Sequence, residues 1–319
     1  MLAGCRKAGS GQSAELIQID GSSTVYPIIE AMAEEFQIAE QGAVNVTVGI
    51  SGSGGGLKKF CRGELAIANA SRPIEASEIR NCQRAGVNFI ELPIAYDAIT
   101  LVVHPHNQWV QSLDVATLKQ IWEPQAQGRV TRWSDLNPDF PDASLNLYGA
   151  GPDSGTFDYF TAVINGDERA SRGDYTASED DNILVRGVAN DKFALGYFGL
   201  AYYHENSNQL KALAVINQQG NAVLPSLDSV RGGAYQPLSR PVFMYVNTQM
   251  LQQKGVRRFL DFFFAPKNRT EIITWVGYIP LAEATYERVL DILNQERTGS
   301  RFRDDAGHVV SVEQALHLL

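Results

Sequence analysis

Apolar residues recur along the chain in two alternating rhythms. Leu16-Ile17-Gln18-Ile19 reads as a short strand, and Ile28 to Phe36 carries apolar residues at helical spacing. Val44-Asn45-Val46-Thr47-Val48-Gly49-Ile50 alternates with period two, and a helix is predicted from about Gly55. Leu65 to Ala68, Ala98 to Val103, Leu145 to Tyr148 and Val242 to Val246 read as further strands. Helices are predicted over Ile74 to Ala85, Leu113 to Trp122 and Gly155 to Ile164. Three more follow over Met250 to Phe264, Lys267 to Trp275 and Glu283 to Glu296. Such repetition of strand and helix indicates α/β architecture. No internal repeat and no Pro- or Gly-rich linker divides the middle of the chain, which fits two domains that exchange chain through strands.

Composition narrows the class. The 319 residues suit one large or two medium domains, with a core that needs no disulfide scaffold. Lys and Arg total 27 against 36 Asp and Glu, a net charge of −9. That balance argues against nucleic acid as a partner and against a polybasic membrane-surface protein. No run of about 18 apolar residues is present to span a bilayer. Leu2-Ala3-Gly4-Cys5 resembles the lipobox of bacterial lipoproteins. The expectation is a lipid on Cys5, a polar tether over Arg6 to Ser13, and a periplasmic or cell-surface location. In an exported chain Cys61 and Cys82 either pair as a disulfide or stay as two buried thiols.

The candidate chemistry lies where strands hand over to helices. Gly21-Ser22-Ser23-Thr24-Val25-Tyr26-Pro27, Ser51-Gly52-Ser53-Gly54-Gly55-Gly56 and Asp153-Ser154-Gly155-Thr156 share one composition. Each puts hydroxyls and helix first-turn N–H groups at one place, and such groups attract an anion. One junction of this kind is ordinary helix capping. Three in one chain point to a small oxyanion. A fourth junction, Ser71-Arg72-Pro73, adds a guanidinium, with Pro73 expected at the first position of a helix. Its plain alternative is a surface Arg72 paired with Glu75 or Glu78. Asp153 either caps its helix or accepts the proton of a protonated oxyanion, which a fully ionised sulfate cannot donate.

These motifs resemble those of the phosphate-binding proteins of bacterial phosphate ABC transporters, in a form similar to cyanobacterial members. Gly21 to Pro27, Gly52 to Lys58, Ala68 to Pro73 and Asp153 to Phe157 carry the likeness. So do Ser178 to Asn182, Gly196-Tyr197-Phe198 and Gly277 to Leu281, and together they span about Leu16 to Glu296. The resemblance implies an α/β, two-lobe binding-protein fold of type II, each lobe a mixed sheet flanked by helices and joined by hinge strands. It implies a lobe of residues 15–101 plus 243–319, a second lobe of 102–242, and a tether of 1–14. Tyr96 to His104 and Arg240 to Asn247 would be the crossing strands. It also implies phosphate held by Thr24, the Val25 backbone, Ser53, Ser154, Gly155 and Thr156, to which the reading of the junctions adds Ser23, Gly54, Ser71, Arg72 and Asp153. The partner would be a membrane permease, the chain a monomer, with no cofactor and no metal.

Two positions depart from the family pattern. Its members carry an Asp where this chain has Ser71, and an Arg where it has Ala150. Arg72 and Asp153 are the replacements expected from sequence. Enzyme readings have little support, since no G-x-S-x-G elbow, P-loop or metal-spaced His set occurs. His104-Pro105-His106 reads as a loop, and Phe262-Phe263-Phe264 as core. The competing functions are a phosphate-ester hydrolase, a phosphate-sensing surface protein, or a receptor for another oxyanion.

Overall fold

β1 (Glu15–Gly21) opens a run of strand-to-helix units: α1 (Tyr26–Ala39), β2 (Val44–Ile50), α2 (Gly52–Phe60), β3 (Ile67–Ala70) and α3 (Ala76–Arg84). This computed structural model describes residues 15–152, 154–178, 180–303 and 309–317. β4 (Phe89–Val103) follows, then β5 (Ser112–Asp114), α4 (Val115–Trp122), β6 (Asn146–Ala150), α5 (Gly155–Asn165), β7 (Thr176–Ser178), α6 (Asp181–Ala189) and β8 (Ala194–Gly199). The chain continues through α7 (Leu200–Glu205), β9 (Lys211–Ala212), β10 (Ala214–Ile216), β11 (Ala222–Val223), α8 (Leu227–Arg231) and β12 (Ser239–Asn247). It closes with α9 (Lys254–Phe263), α10 (Pro266–Trp275), β13 (Ile279–Pro280), α11 (Glu283–Asn294) and α12 (Val312–His317). None of the helices among the described residues is long and apolar enough to cross a membrane.

The main sheet runs β2-β1-β3-β12-β4-β8-β6-β7. β1 pairs in parallel with β2 on one side and β3 on the other. α1 carries the chain from β1 out to β2, and α2 carries it back past β1 to β3, so α1 and α2 both begin beyond strand carboxyl ends on this side of the sheet. β6 pairs in parallel with β7 and β8, so α5 likewise begins beyond a strand's carboxyl end. Each of the junctions singled out in the sequence stands at such an end.

β4 joins the two parallel groups. Its first part pairs antiparallel with β12, and Ile99 to Val103 pair antiparallel with β8. All 15 of its residues are buried. Pro93 has no N–H for the ladder, and the register of β12 shifts beside it, between Val242 and Phe243. The sequence pattern locates only the second half of this strand, because Glu91, Pro93 and Asp97 interrupt the apolar run.

The core holds the site-bearing helices in place. Trp122 of α4, Phe160 of α5 and Tyr197 of β8 pack ring on ring, with Phe160 stacked on Tyr197 at 3.8 Å. Burying side chains of this size contributes roughly 1.5–3 kcal/mol each. On the other side Phe36 of α1 meets Phe259 and Phe262 of α9 edge-on. The aromatic run at Phe262 to Phe264 thus belongs to the core, as its pattern suggests. Cys61 and Cys82 form a disulfide, joining the end of α2 to α3.

Candidate functional site

The first junction is shaped by close backbone packing. The Val25 and Tyr26 N–H groups both donate to the Ser22 carbonyl, closing a tight turn ahead of α1. Pro27 in the first helical turn has no N–H to satisfy. The Val25 N–H, expected to face a ligand, is thereby spent inside the turn. Ser23 lines a cavity of about 400 Å³ between the first and third junctions. Thr24 is buried and linked across that boundary, its Oγ1 lying 3.5 Å from the Gly155 carbonyl. The Tyr278 hydroxyl donates to the Thr24 carbonyl.

The third junction faces it. Ser154 caps α5, accepting from the Thr156 N–H at 3.1 Å and the Phe157 N–H at 3.3 Å. Ser154, Gly155 and Thr156 all line the cavity. Asp153 lies outside the described residues, as does Cys5.

Gly56 of the second junction serves packing. A Cβ on Gly56 would stand 2.5 Å from Gly21 Cα, so α2 rests directly on the end of β1. The Ser51 hydroxyl donates to Asp20 Oδ1 at 2.8 Å, and Lys59 pairs with the other oxygen of that carboxylate. Burial pushes the Asp20 carboxyl up, but Lys59 and Ser51 outweigh it and hold it below its ordinary value. The Ser53 Oγ accepts from the Ser71 N–H at 3.1 Å and lies 3.3 Å from the Ser71 hydroxyl. The second and fourth junctions are therefore tied to each other, and neither Ser53 nor Ser71 is among the residues lining the cavity.

Arg72 does not supply the cavity with a guanidinium. Nη1 and Nη2 hold both oxygens of Glu78, each at 2.9 Å, and Glu75 stands 3.6 Å away. The fork of Arg finds its planar partner six residues on, and Glu78 raises the Arg72 pKa further. Gly54 sits over this ion pair, 3.6 Å from Arg72 Nη2 as measured from a built Cβ. Pro73 also precedes the helix instead of starting it, since α3 begins at Ala76. Its N-terminus is organised by Glu78, which accepts from the Glu75 N–H at 2.8 Å.

Two charged residues that no junction motif contains lie at the cavity instead. Asp97 of β4 lines it, as does Asp181 at the start of α6. Arg240 of β12 is the register partner of Asp97. Its Nη2 donates to Thr24 Oγ1 at 2.9 Å, and its Nε lies 3.3 Å from Asp97 Oδ2. Its guanidinium also stacks on the Tyr159 ring at 3.7 Å. Burial raises the Asp97 pKa, and the Arg240 charge opposes that rise. The sequence does carry a signal for Asp97, which with Glu91 is one of two carboxylates inside an otherwise apolar strand. No group of three or more His, Cys, Asp or Glu among the described residues is arranged to hold a metal.

Comparison with known proteins places this architecture. The model of the PBP superfamily domain matches residues 7–267. The chain belongs to the PBP superfamily. This PBP-superfamily chain is 48% identical to Protein SphX of Synechocystis sp. over 303 residues, 95% of this chain and 89% of that protein. It is 33% identical to the phosphate-binding protein PstS of Staphylococcus saprophyticus over 282 residues, 88% of this chain and 84% of that one. The crystal structure of a possible phosphate binding protein from Planctomyces limnophilus superposes with a TM-score of 0.84 at 40% identity. That match covers 90% of this chain and 100% of the other. The α/β binding-protein fold and the family implied by the motifs are therefore those of this PBP-superfamily chain.

Proposed function

We propose that this chain is the solute-binding component of a phosphate ABC transporter, capturing inorganic phosphate between two lobes and delivering it to a membrane permease. One observation carries the reading: Ser23 at the entrance to α1 and the N-terminus of α5 face each other across one polar cavity. Hydroxyls and the positive end of a helix dipole favour an oxyanion at such a place. The relatives' names support the same reading, since PstS is a phosphate-binding protein. Residues 15–101 with 243–319 form one lobe and 102–242 the other, hinged on β4 and β12. The chain acts as a monomeric receptor and not as an enzyme, periplasmic or at the cell surface and anchored to a membrane by lipid on Cys5.

Calorimetry with phosphate, arsenate, sulfate and molybdate tests the reading. Phosphate should bind tightly and sulfate weakly. Phosphate binding too weak to detect at millimolar concentration ends the proposal. Turnover of a chromogenic phosphate ester would favour the hydrolase instead.

A further inference from the structure

Arg240 touches three parts of the molecule at once. It stands on β12, one of the two strands that join the halves of the sheet, and its Nε lies 3.3 Å from Asp97 Oδ2 on the other, β4. Its Nη2 donates to Thr24 Oγ1 at 2.9 Å, just ahead of α1. Its guanidinium lies over the Tyr159 ring of α5, 3.7 Å from the ring centroid. Tyr159 is buried, and its hydroxyl donates to the Pro237 carbonyl at 2.7 Å. Neither Arg240 nor Tyr159 is among the residues lining the cavity.

Thr24 belongs to the lobe of residues 15–101 with 243–319, and Tyr159 to the lobe of 102–242. The guanidinium thus reaches from the hinge to both lobes, beside the place where Thr24 meets Gly155. A planar cation over an aromatic face and a charged donor on a hydroxyl both gain strength where water is kept out. Opening the lobes would carry Tyr159 away from Thr24, and one guanidinium could not then hold both. We propose that Arg240 and Tyr159 are positioning residues that form an interlobe latch, holding the first and third junctions together before phosphate arrives. The latch touches no ligand. It raises the share of chains already in the binding arrangement, and apparent affinity scales with that share. The inference rests on the phosphate-receptor reading and adds to it what holds the lobes between captures.

Small-angle X-ray scattering of the full chain, with and without saturating phosphate, tests it alongside calorimetry. Tyr159→Leu removes the ring under the guanidinium and leaves Arg240 beside Asp97. Without phosphate this variant should be more expanded than the parent, and saturating phosphate should bring both to one size. Its phosphate affinity should fall by up to about thirtyfold, the ratio a desolvated cation–π contact can supply. Tyr159→Phe keeps the ring and loses only the hydroxyl, so it should match the parent in both measurements. A merely structural role would lower the unfolding temperature without expanding the folded chain. If Tyr159→Leu fails to fold, Arg240→Lys serves, since it keeps a cation beside Asp97 and loses the planar fork, and it should expand in the same way. Equal size of the parent and the variant without phosphate, or a Tyr159→Phe chain as expanded as Tyr159→Leu, overturns the latch while leaving the receptor reading standing. A parent that binds no phosphate overturns the receptor reading, and the scattering comparison without phosphate still decides the latch.

Discussion

Gly155 meets Thr24 with no room for a side chain between them. A Cβ built on Gly155 would lie 2.6 Å from Thr24 Cα and 2.8 Å from Thr24 Oγ1. The two residues are 131 positions apart, one at the start of α5 and the other just ahead of α1. Their contact is the point where the first and third junctions meet.

Gly155→Ala should therefore hinder closure without harming either half. Overpacking of this kind costs about 2 kcal/mol, which is roughly a thirtyfold loss of phosphate affinity. Calorimetry reads the loss, and thermal unfolding of the unliganded variant checks that α5 and its Ser154 cap survive. Unchanged affinity would mean that the two junctions need not touch for binding.

Arg72→Ala should leave phosphate affinity within about threefold of the parent, because the guanidinium is held by Glu78 and Glu75. The stability cost should stay within about 1 kcal/mol, since the Arg72 side chain is 32% exposed. A much larger loss of affinity would return Arg72 to the binding site.

Reducing the Cys61–Cys82 disulfide, or replacing both residues with Ala, should lower stability by about 3 kcal/mol for a loop of this size. Urea unfolding with and without reductant measures the difference. Phosphate affinity should change little, because the bridge meets α2 at Cys61, the end away from Ser53.

Asp114 caps α4, accepting from the Thr117 N–H at 2.7 Å. That hydrogen bond holds its carboxyl below the ordinary value of 3.8. A depressed carboxyl pKa contributes stability that is complete above 3.8 and is lost as pH falls through the lower folded value. Asp114→Ala should cost about 1 kcal/mol at neutral pH. In urea titrations the gap between parent and variant should shrink only once the pH drops below 3.8. A gap that did not narrow on acidification would assign the cost to something other than the ionised cap.

Much of the scaffold is legible from local pattern. The strand predicted at Val44 to Ile50 coincides with β2, and the helix predicted from Gly155 ends within one residue of α5. Capping, periodicity and glycine content act over a few residues, so a linear reading can weigh them. β7 and β8 escape that reading because β7 is only three residues long and β8 carries two glycines in six residues. Helix starts also slip where a side chain reorganises the turn, as Glu78 does ahead of α3.

By itself the sequence determined the alternation of strand and helix, the four hydroxyl-rich junctions and an acidic chain whose anion chemistry has to be local. Tertiary structure decided which charges stand at the cavity. Arg72 turned to Glu78, six residues on, because a bidentate carboxylate was within reach. Arg240 met Asp97 across 143 positions because β4 and β12 pair in that register, and the same fold brought Thr24 to the guanidinium. Local hydrogen bonds and side-chain period leave a trace along the chain. A cross-strand partner is set by register and long-range packing, and these exist only once the sheet has formed.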